Sequence, residues 1–477
     1  MRIKETGDIY FAVSDREWIL DGASVHISMI GFDAGAEKQR TLDGKAVKEI
    51  TPQLCAESRT HTAAVIKANT GISFMGITPA GPFDVASEIV LQWLAAPNPS
   101  GRPNSDVLRP YFNGNDLTKR ARGAWTIDFG VDMTIEEAAA FEKPFGYVES
   151  VVKPIRKGNR REAYARKWWI YAESRPAMRE SLSVHGRYLA TCMVAKHRIF
   201  VWLDSTALPA NVVIVFGRAD DFFLGVLQSR FHEVWALMQG TRLETRPRYT
   251  PTTCFETFPF PFPDDLQPHP PAFAPAPVNP GHPSLTPEQA WADAAHFYSA
   301  KEEPPPYRAS AGDHRAAIAE AARVLNDLRE RWLNPPEWTR TEILEFPASV
   351  DGPWARYVVG PLPSAGVSPN AGSGDPACKI GLARYPRLVP KDAECAAKLK
   401  QRTLTNLYNE RPAWLDLAHQ KLDAAVAAAY GWPADLNDEQ ILEKLLALNL
   451  ERAAEEAKAS KVKKPKVQRS KDGEEMI

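Results

Sequence analysis

Long apolar runs are missing from this sequence. No stretch of about eighteen apolar residues occurs anywhere in the 477 residues, so the chain offers no candidate for a membrane-crossing helix. The opening Met1-Arg2-Ile3-Lys4-Glu5-Thr6-Gly7-Asp8 has no apolar centre and does not read as a secretory signal. Cysteine is scarce: Cys55, Cys192, Cys254, Cys378 and Cys395 are scattered, odd in number and form no Cys-x-x-Cys pair. That argues against a disulfide framework and a cysteine-based zinc site, and for a reducing, cytoplasmic setting. Net charge is also nearly absent, at −1 over the chain, so any local excess is a local choice.

One excess is large. Between residues 151 and 200 there are twelve Lys or Arg against only Glu162, Glu173 and Glu180. The densest part runs Val151-Val152-Lys153-Pro154-Ile155-Arg156-Lys157-Gly158-Asn159-Arg160-Arg161 and continues to Lys167-Trp168-Trp169. Basic side chains neutralise phosphates, and interleaved aromatics offer flat faces to bases. A solvated charged face beside a core Trp pair is the competing reading.

The length predicts two to four domains, and the expected fold class is α+β. Residues 1–60 read as strands, with Val25, Ile27 and Met29 alternating against His26 and Ser28. Two or three strands need a larger sheet. Residues 61–262 alternate strand-like runs (72–77, 125–129, 199–203, 212–216) with turns and predict a mixed α/β domain. In this domain Phe223, Leu227, Phe231 and Trp235 fall four apart and share one helix face behind the cap candidates Asp220 and Asp221; His232 reads as a packed, hydrogen-bonded histidine. A proline-rich linker is expected over 263–310, then a mainly helical C-terminal region over 311–457. There Asn437 and Gln440 have capping-box spacing and Gly431 is a helix terminator. A basic disordered tail, 458–477, is expected to end the chain.

Several motifs in order carry a resemblance: Arg109-Pro110-Tyr111-Phe112-Asn113-Gly114-Asn115-Asp116-Leu117, Ile127-Asp128-Phe129, Val152-Lys153-Pro154-Ile155-Arg156, Trp168-Trp169, Gly225-Val226-Leu227-Gln228-Ser229 with His232 and Trp235, and Arg248-Tyr249-Thr250 with Phe255-Glu256-Thr257-Phe258-Pro259. Further on come Arg402-Thr403-Leu404, Tyr430-Gly431-Trp432-Pro433 and Leu448-Asn449-Leu450-Glu451-Arg452. Together they resemble the target-recognition and C-terminal regions of large class I adenine-specific DNA methyltransferases, the group found in fused restriction–modification and phage-defence enzymes. The resemblance implies double-stranded DNA as partner. It also implies methyl transfer from S-adenosylmethionine to the N6 of an adenine that has left the stack.

Such chemistry needs a glycine-rich cofactor loop and an Asp- or Asn-Pro-Pro-aromatic loop, and neither precedes residue 60. Asn334-Pro335-Pro336 is followed by Glu337, Pro304-Pro305-Pro306-Tyr307 lacks the acid or amide, and Asp375-Pro376-Ala377-Cys378 continues without the needed glycines. Glu456-Ala457-Lys458 has nuclease spacing but lies in a helical pattern. The expectation is therefore a specificity chain that binds no cofactor alone, holds no catalytic residue and works with a separate methyltransferase chain or domain. On this reading residues 1–60 are the last strands of that domain's sheet. A complete but divergent methyltransferase, or an inactive fragment of a truncated gene, are the alternatives. Lys153, Arg156, Lys157, Arg160 and Arg161 are the candidate phosphate contacts. Asn113, Asn115, Arg175, Arg187, Arg230 and Arg248 are the candidate base readers. Of the two tryptophans, placed on opposite faces if they lie on a strand, Trp169 is taken as the stacking candidate.

Overall fold

The computed structural model describes residues 6–20, 23–50, 54, 63–243, 246–262, 311–361 and 380–462. The expected linker, all but the first residues of the basic tail, and the 304–307 and 375–378 motifs lie outside them.

The N-terminal strands β1 (Asp8–Leu20), β2 (Ala23–Asp33), β3 (Arg40–Leu42) and β4 (Lys45–Val47) form one sheet in the order β2-β1-β3-β4. The expected alternation holds where it can be read: Ile27 and Met29 are half-buried and Ser28 is exposed. Its buried core is small, made of Ile9, Ala12, Leu42 and Ile50.

The middle region contains β5 (Ser73–Met75), β6 (Asp84–Val85), α1 (Ser87–Ala95), β7 (Leu108–Phe112), α2 (Gly114–Thr118), β8 (Trp125–Ile127), α3 (Ile135–Ala139) and α4 (Glu142–Tyr147). After a π-helical turn at Val148–Val152 come α5 (Lys153–Lys157), α6 (Glu162–Arg166), α7 (Pro176–Ser183), β9 (Arg187–Cys192), β10 (Phe200–Asp204), β11 (Leu208–Pro209) and β12 (Val213–Phe216). Then follow α8 (Asp221–Gln228), α9 (Arg230–Gln239), β13 (Thr241–Leu243) and β14 (Arg246–Arg248). The strands make a sheet β10-β9-β12-β5, a second sheet β11-β7-β8-β6 and the ribbon β13-β14.

The first of these sheets is buried on both faces. Tyr188, Ala190, Cys192, Val213 and Val215 point into one core, and Leu189, Phe200, Ile214 and Phe216 into another. This is why Val213–Phe216 is apolar at every position rather than at alternate ones. Arg109 and Asp128, both in the motifs singled out by sequence, brace the second sheet. Asp128 takes a bidentate pair from Arg179 at 2.8 and 2.9 Å, and Arg109 donates to the Ser205 and Thr206 carbonyls.

The C-terminal region adds α10 (Ala311–Leu333), β15 (Thr339–Ser349), β16 (Val358–Pro361), β17 (Ile380–Pro390), α11 (Ala393–Leu399), α12 (Leu404–Glu410), α13 (Ala413–Tyr430) and α14 (Asp438–Val462). Its helices cover one face of the β10-β9-β12-β5 sheet, the central sheet, sharing a core with α8 and α9. Here the sequence reading meets the structure closely. Asn437 and Gln440 exchange their capping bonds at 3.0 Å each, and Gly431 ends α13 at φ 69°.

Two findings differ from expectation. The helix drawn through Phe223 and Trp235 is broken at Ser229, whose backbone is extended (ψ 158°). Both halves stay buried, so the stripe survives as two short helices. The helix α14 also runs on to residue 462, into the segment expected to be tail.

Within the region expected to be mainly helical, β15, β16 and β17 form an antiparallel sheet in the order β15-β17-β16. It packs its end on the second core. Trp354 is fully buried, donates to the Ser105 and Leu108 carbonyls at 3.1 Å and stacks on Trp125. Replacing it leaves a large cavity and takes a donor from each of two carbonyls. Trp354→Ala is expected to destabilise the protein by about 3–5 kcal/mol, read as a lowered denaturant midpoint. An unchanged midpoint would mean the sheet is not docked.

Candidate nucleic-acid interface

The basic stretch folds as a short helical relay rather than a strand. Val148 and Val152 are buried and anchor the π-helical turn. Past this anchor the chain surfaces: Lys153, Lys157, Arg160, Arg161, Arg166 and Lys167 are all exposed. Around them the carboxylates are Glu149, paired with Lys153 at 2.8 Å, and Glu162. The Lys153 ammonium also lies over the Trp168 ring at 4.6 Å. Arg161 donates to the Tyr164 hydroxyl at 2.7 Å and stacks on its ring. Arg166 and Lys167 continue the same basic run but were not among the candidate phosphate contacts.

Arg156 does not belong to this face, which corrects the expectation that it meets phosphate. It is 1% exposed. Its guanidinium donates to the carbonyls of Ile170 at 2.6 Å, Lys167 at 3.1 Å, Ala80 at 3.3 Å and Pro79. Burial pulls its pKa down to about 10, so the group stays charged at neutral pH. Only the planar fork of arginine reaches so many acceptors from one side chain. Arg156 ties the 79–80 loop to the 167–170 turn beneath the basic surface.

Several candidate readers are likewise committed to the fold. Arg175 sits at φ 56°, donates to Gly76 O and pairs with Glu173. Arg187 holds Ala219 O and Asp221 and lies over Trp202. Arg230 pairs with Asp438 and donates to Leu436 O. Each spends its guanidinium on acceptors of this chain, and none of the three stands on the exposed basic stretch.

Asn113 caps α2: its side chain accepts from Asn115 N and Asp116 N, while Asp116 accepts from Asn113 N. Asn115 is exposed. The two tryptophans lie in a turn, not on a strand, and contact each other edge to face. Trp169 is half-buried and its indole donates to Met133 O at 2.9 Å, so it packs rather than offering a free face. Arg248 is exposed on β14, with Arg246 two residues earlier on the same side of the strand.

A cavity of about 260 Å³ lies between α9, α13 and the start of α14, lined by Arg230, Glu233, Arg411, His419, Asp423 and Asp438 among others. Two of its carboxylates are desolvated: burial raises Glu233, and pushes Asp423 up to about 6. Burial pushes His419 down to about 3; its Nε2 meets the Tyr408 hydroxyl. His232 is a packed histidine as expected, down at about 3 and bonded to the Tyr249 hydroxyl. Among the described residues no group of three His, Cys, Asp or Glu is arranged to hold a metal, and no helix is long and apolar enough to cross a membrane.

Among the described residues, parallel pairing between named strands is confined to β1 with β3 and β7 with β11, two residue pairs each. Gly381, which follows the cofactor-like Asp375 motif, is inside β17, where a Cβ would come within 2.6 Å of Gly360 O. Its smallness serves sheet packing. The Asn334-Pro335 motif closes α10, with Asn334 accepting from Arg120.

Residues 106–262 match the family model described as "MmeI, target recognition domain". That span contains the whole basic relay. Among solved structures, the chain is similar to that of the Type IIL restriction–modification enzyme MmeI in complex with DNA, with a TM-score of 0.54 and 17% identity. The match covers 94% of this chain and 47% of that one, so this chain spans about half the length of that enzyme. No curated protein sequence matches significantly.

Two outcomes follow. Arg156→Ala is expected to cost about 3 kcal/mol of stability, because it removes a buried guanidinium that donates to four backbone carbonyls, that of Ile170 in a fully buried bond, while Arg160→Ala stays within about 0.5 kcal/mol; chemical denaturation compares them. In the cleft, Asp423 binds its proton more tightly folded than unfolded. Its contribution is thus present below its ordinary value of 3.8 and is lost as pH rises through about 6. Asp423→Asn should therefore be as stable as the parent or more so at pH 7.5, by up to about 2 kcal/mol, with the gap closing towards pH 4. An equal gap at both pH values would refute the assignment.

Proposed function

We propose that this chain is the DNA target-recognition and scaffold part of a restriction–modification or phage-defence system. It grips duplex DNA through the exposed relay of Lys153, Lys157, Arg160, Arg161, Arg166 and Lys167. Reading of the bases falls to side chains such as Asn115 and Arg248. Methyl transfer from S-adenosylmethionine to adenine N6 is carried out by a catalytic methyltransferase chain or domain working with it in the cytoplasm. The reading rests above all on one coincidence: the target-recognition match and the cationic surface fall on the same residues.

The division of roles along the relay has a physical basis. Phosphate contacts set register and strength without sequence information, and mobile lysines and arginines on short helices suit them. Base-edge contacts need a side chain aimed by a rigid strand, as Arg248 is on β14.

Fluorescence anisotropy on mixed-sequence duplex tests the proposal. Salt-sensitive binding is expected. Changing Lys157, Arg160 and Arg161 together to Ala should weaken it at least about tenfold and flatten the log K against log salt slope by roughly 2–3. Full retention of affinity and slope would leave the relay a solvated face. Calorimetric titration with S-adenosylmethionine should give no heat of binding for this chain alone; tight binding would overturn the assignment of catalysis to a separate half.

A further inference from the structure

Helix α14 begins as an ordinary amphipathic helix and then changes character. Ile441 and Leu445 are buried in the shared core. Asn449, Arg452 and Glu456 follow at spacings of four, three and four, and so continue the same face. Asn449 is 0% exposed. A buried amide costs free energy unless its donors and acceptor are met. Here all are: its Oδ1 accepts from Ala64 N at 2.8 Å, and its Nδ2 donates to Ala64 O at 2.8 Å and Thr257 O at 2.7 Å. Arg452 donates to the Phe260 and Pro261 carbonyls. Glu456 accepts from Lys67 N at 2.8 Å and Ala68 N at 3.2 Å.

The partners fall into two groups, 64–68 and 257–261. These are the strands of chain that lead into and out of the recognition region. They also hold each other. Ile66 N donates to Glu256 O at 2.8 Å, and the buried Asn69 side chain donates to Phe255 O and Phe258 O. On α13 the Tyr430 hydroxyl donates to Pro259 O. Incoming and outgoing segments therefore meet at one place, and a single polar face of α14 closes over both.

We propose that Asn449, Arg452 and Glu456 are positioning residues: they clasp both boundaries of the recognition region and set its pose on DNA without touching DNA. The consequence for binding rests on the DNA-recognition reading above; the clasp itself does not. Side-chain amide and carboxylate suit this task because their acceptors and donors are backbone groups with no sequence of their own. The hold is on the path of the chain, not on neighbouring side chains.

Hydrogen–deuterium exchange on the full chain, with Asn449→Ser and Glu456→Gln as separate variants, tests the clasp. Peptides covering 63–69 and 255–261 should exchange about tenfold faster, while the central sheet keeps its protection. No change in either segment in both variants would overturn the proposal. So would a rise spread evenly over the chain, which is the mark of general destabilisation. Should Asn449→Ser fail to fold, Glu456→Gln, at a half-buried position, carries the test alone. The DNA arm uses Asn449→Ser, or Glu456→Gln in its place, with mixed-sequence duplex. Affinity should fall several-fold with the salt slope unchanged, since no cation is removed. A slope lowered by about one contact would place α14 on the DNA and overturn the positioning role, as would unchanged affinity despite faster exchange. If the parent chain does not bind duplex at all, the functional reading fails, and the exchange result still decides the clasp.

Discussion

The central sheet has no polar face, and most of the architecture follows from that. Val213, Ile214, Val215 and Phe216 are all fully buried, so apolar material must lie on both sides of the strand. The middle region supplies only part of it. On one side α8 and α9 are backed by Ile318, Leu325, Leu415, Leu422 and Leu445 from the C-terminal helices. On the other, Phe346, Ala348, Trp354 and Ala383 of the C-terminal sheet join α1, α7 and the π-helical turn. A segment that looks in sequence like a separable recognition domain thus borrows core from residues more than a hundred positions away. Burying that much apolar surface is the main favourable term in folding, so the two regions stand or fall together.

The buried cations extend the same logic into polar chemistry. Arg329 on α10 is almost completely buried, donating to Phe200 O at 2.7 Å and to Gln228 Oε1 at 3.1 Å. Gln228 Oε1 in turn accepts from Phe200 N, so one amide serves strand and helix at once. Arg198 does comparable work on Cys192 O and Thr191 Oγ1. Such groups specify one docking geometry, because any other leaves a charge unpaired in a low dielectric.

This explains which parts of the fold and interface were legible. The Gly431 terminator and the Asn437–Gln440 box read correctly because helix ends and capping are local. The run 212–216 read as a strand because a doubly covered strand has a composition of its own. Ser229 did not announce a break, since one serine between two helical patterns carries no signal until Arg230 is pulled towards Asp423 and Asp438. Nor did Arg156 differ in sequence from Arg160. What separates them is the loop at Pro79 and Ala80, seventy-odd residues away, which supplies carbonyls to one and not the other. Charge is a local property of sequence; what a charge is spent on is not.

That difference bears on how a charged surface can be stable and adaptable together. Arg156, Val148 and Val152 form a floor whose contacts are internal and saturated. Above it Lys157 and Arg160 carry no structural duty visible in hydrogen bonds or ion pairs among the described residues. Substitution on the upper layer changes the surface charge and little else, because exposed side chains away from caps and pairs contribute within about half a kcal/mol to stability. Substitution in the floor moves the 167–170 turn, and with it every cation above. A surface built this way separates the residues that set where the face points from those that decide what charge it presents, and the two sets interleave at single-residue spacing along one basic run.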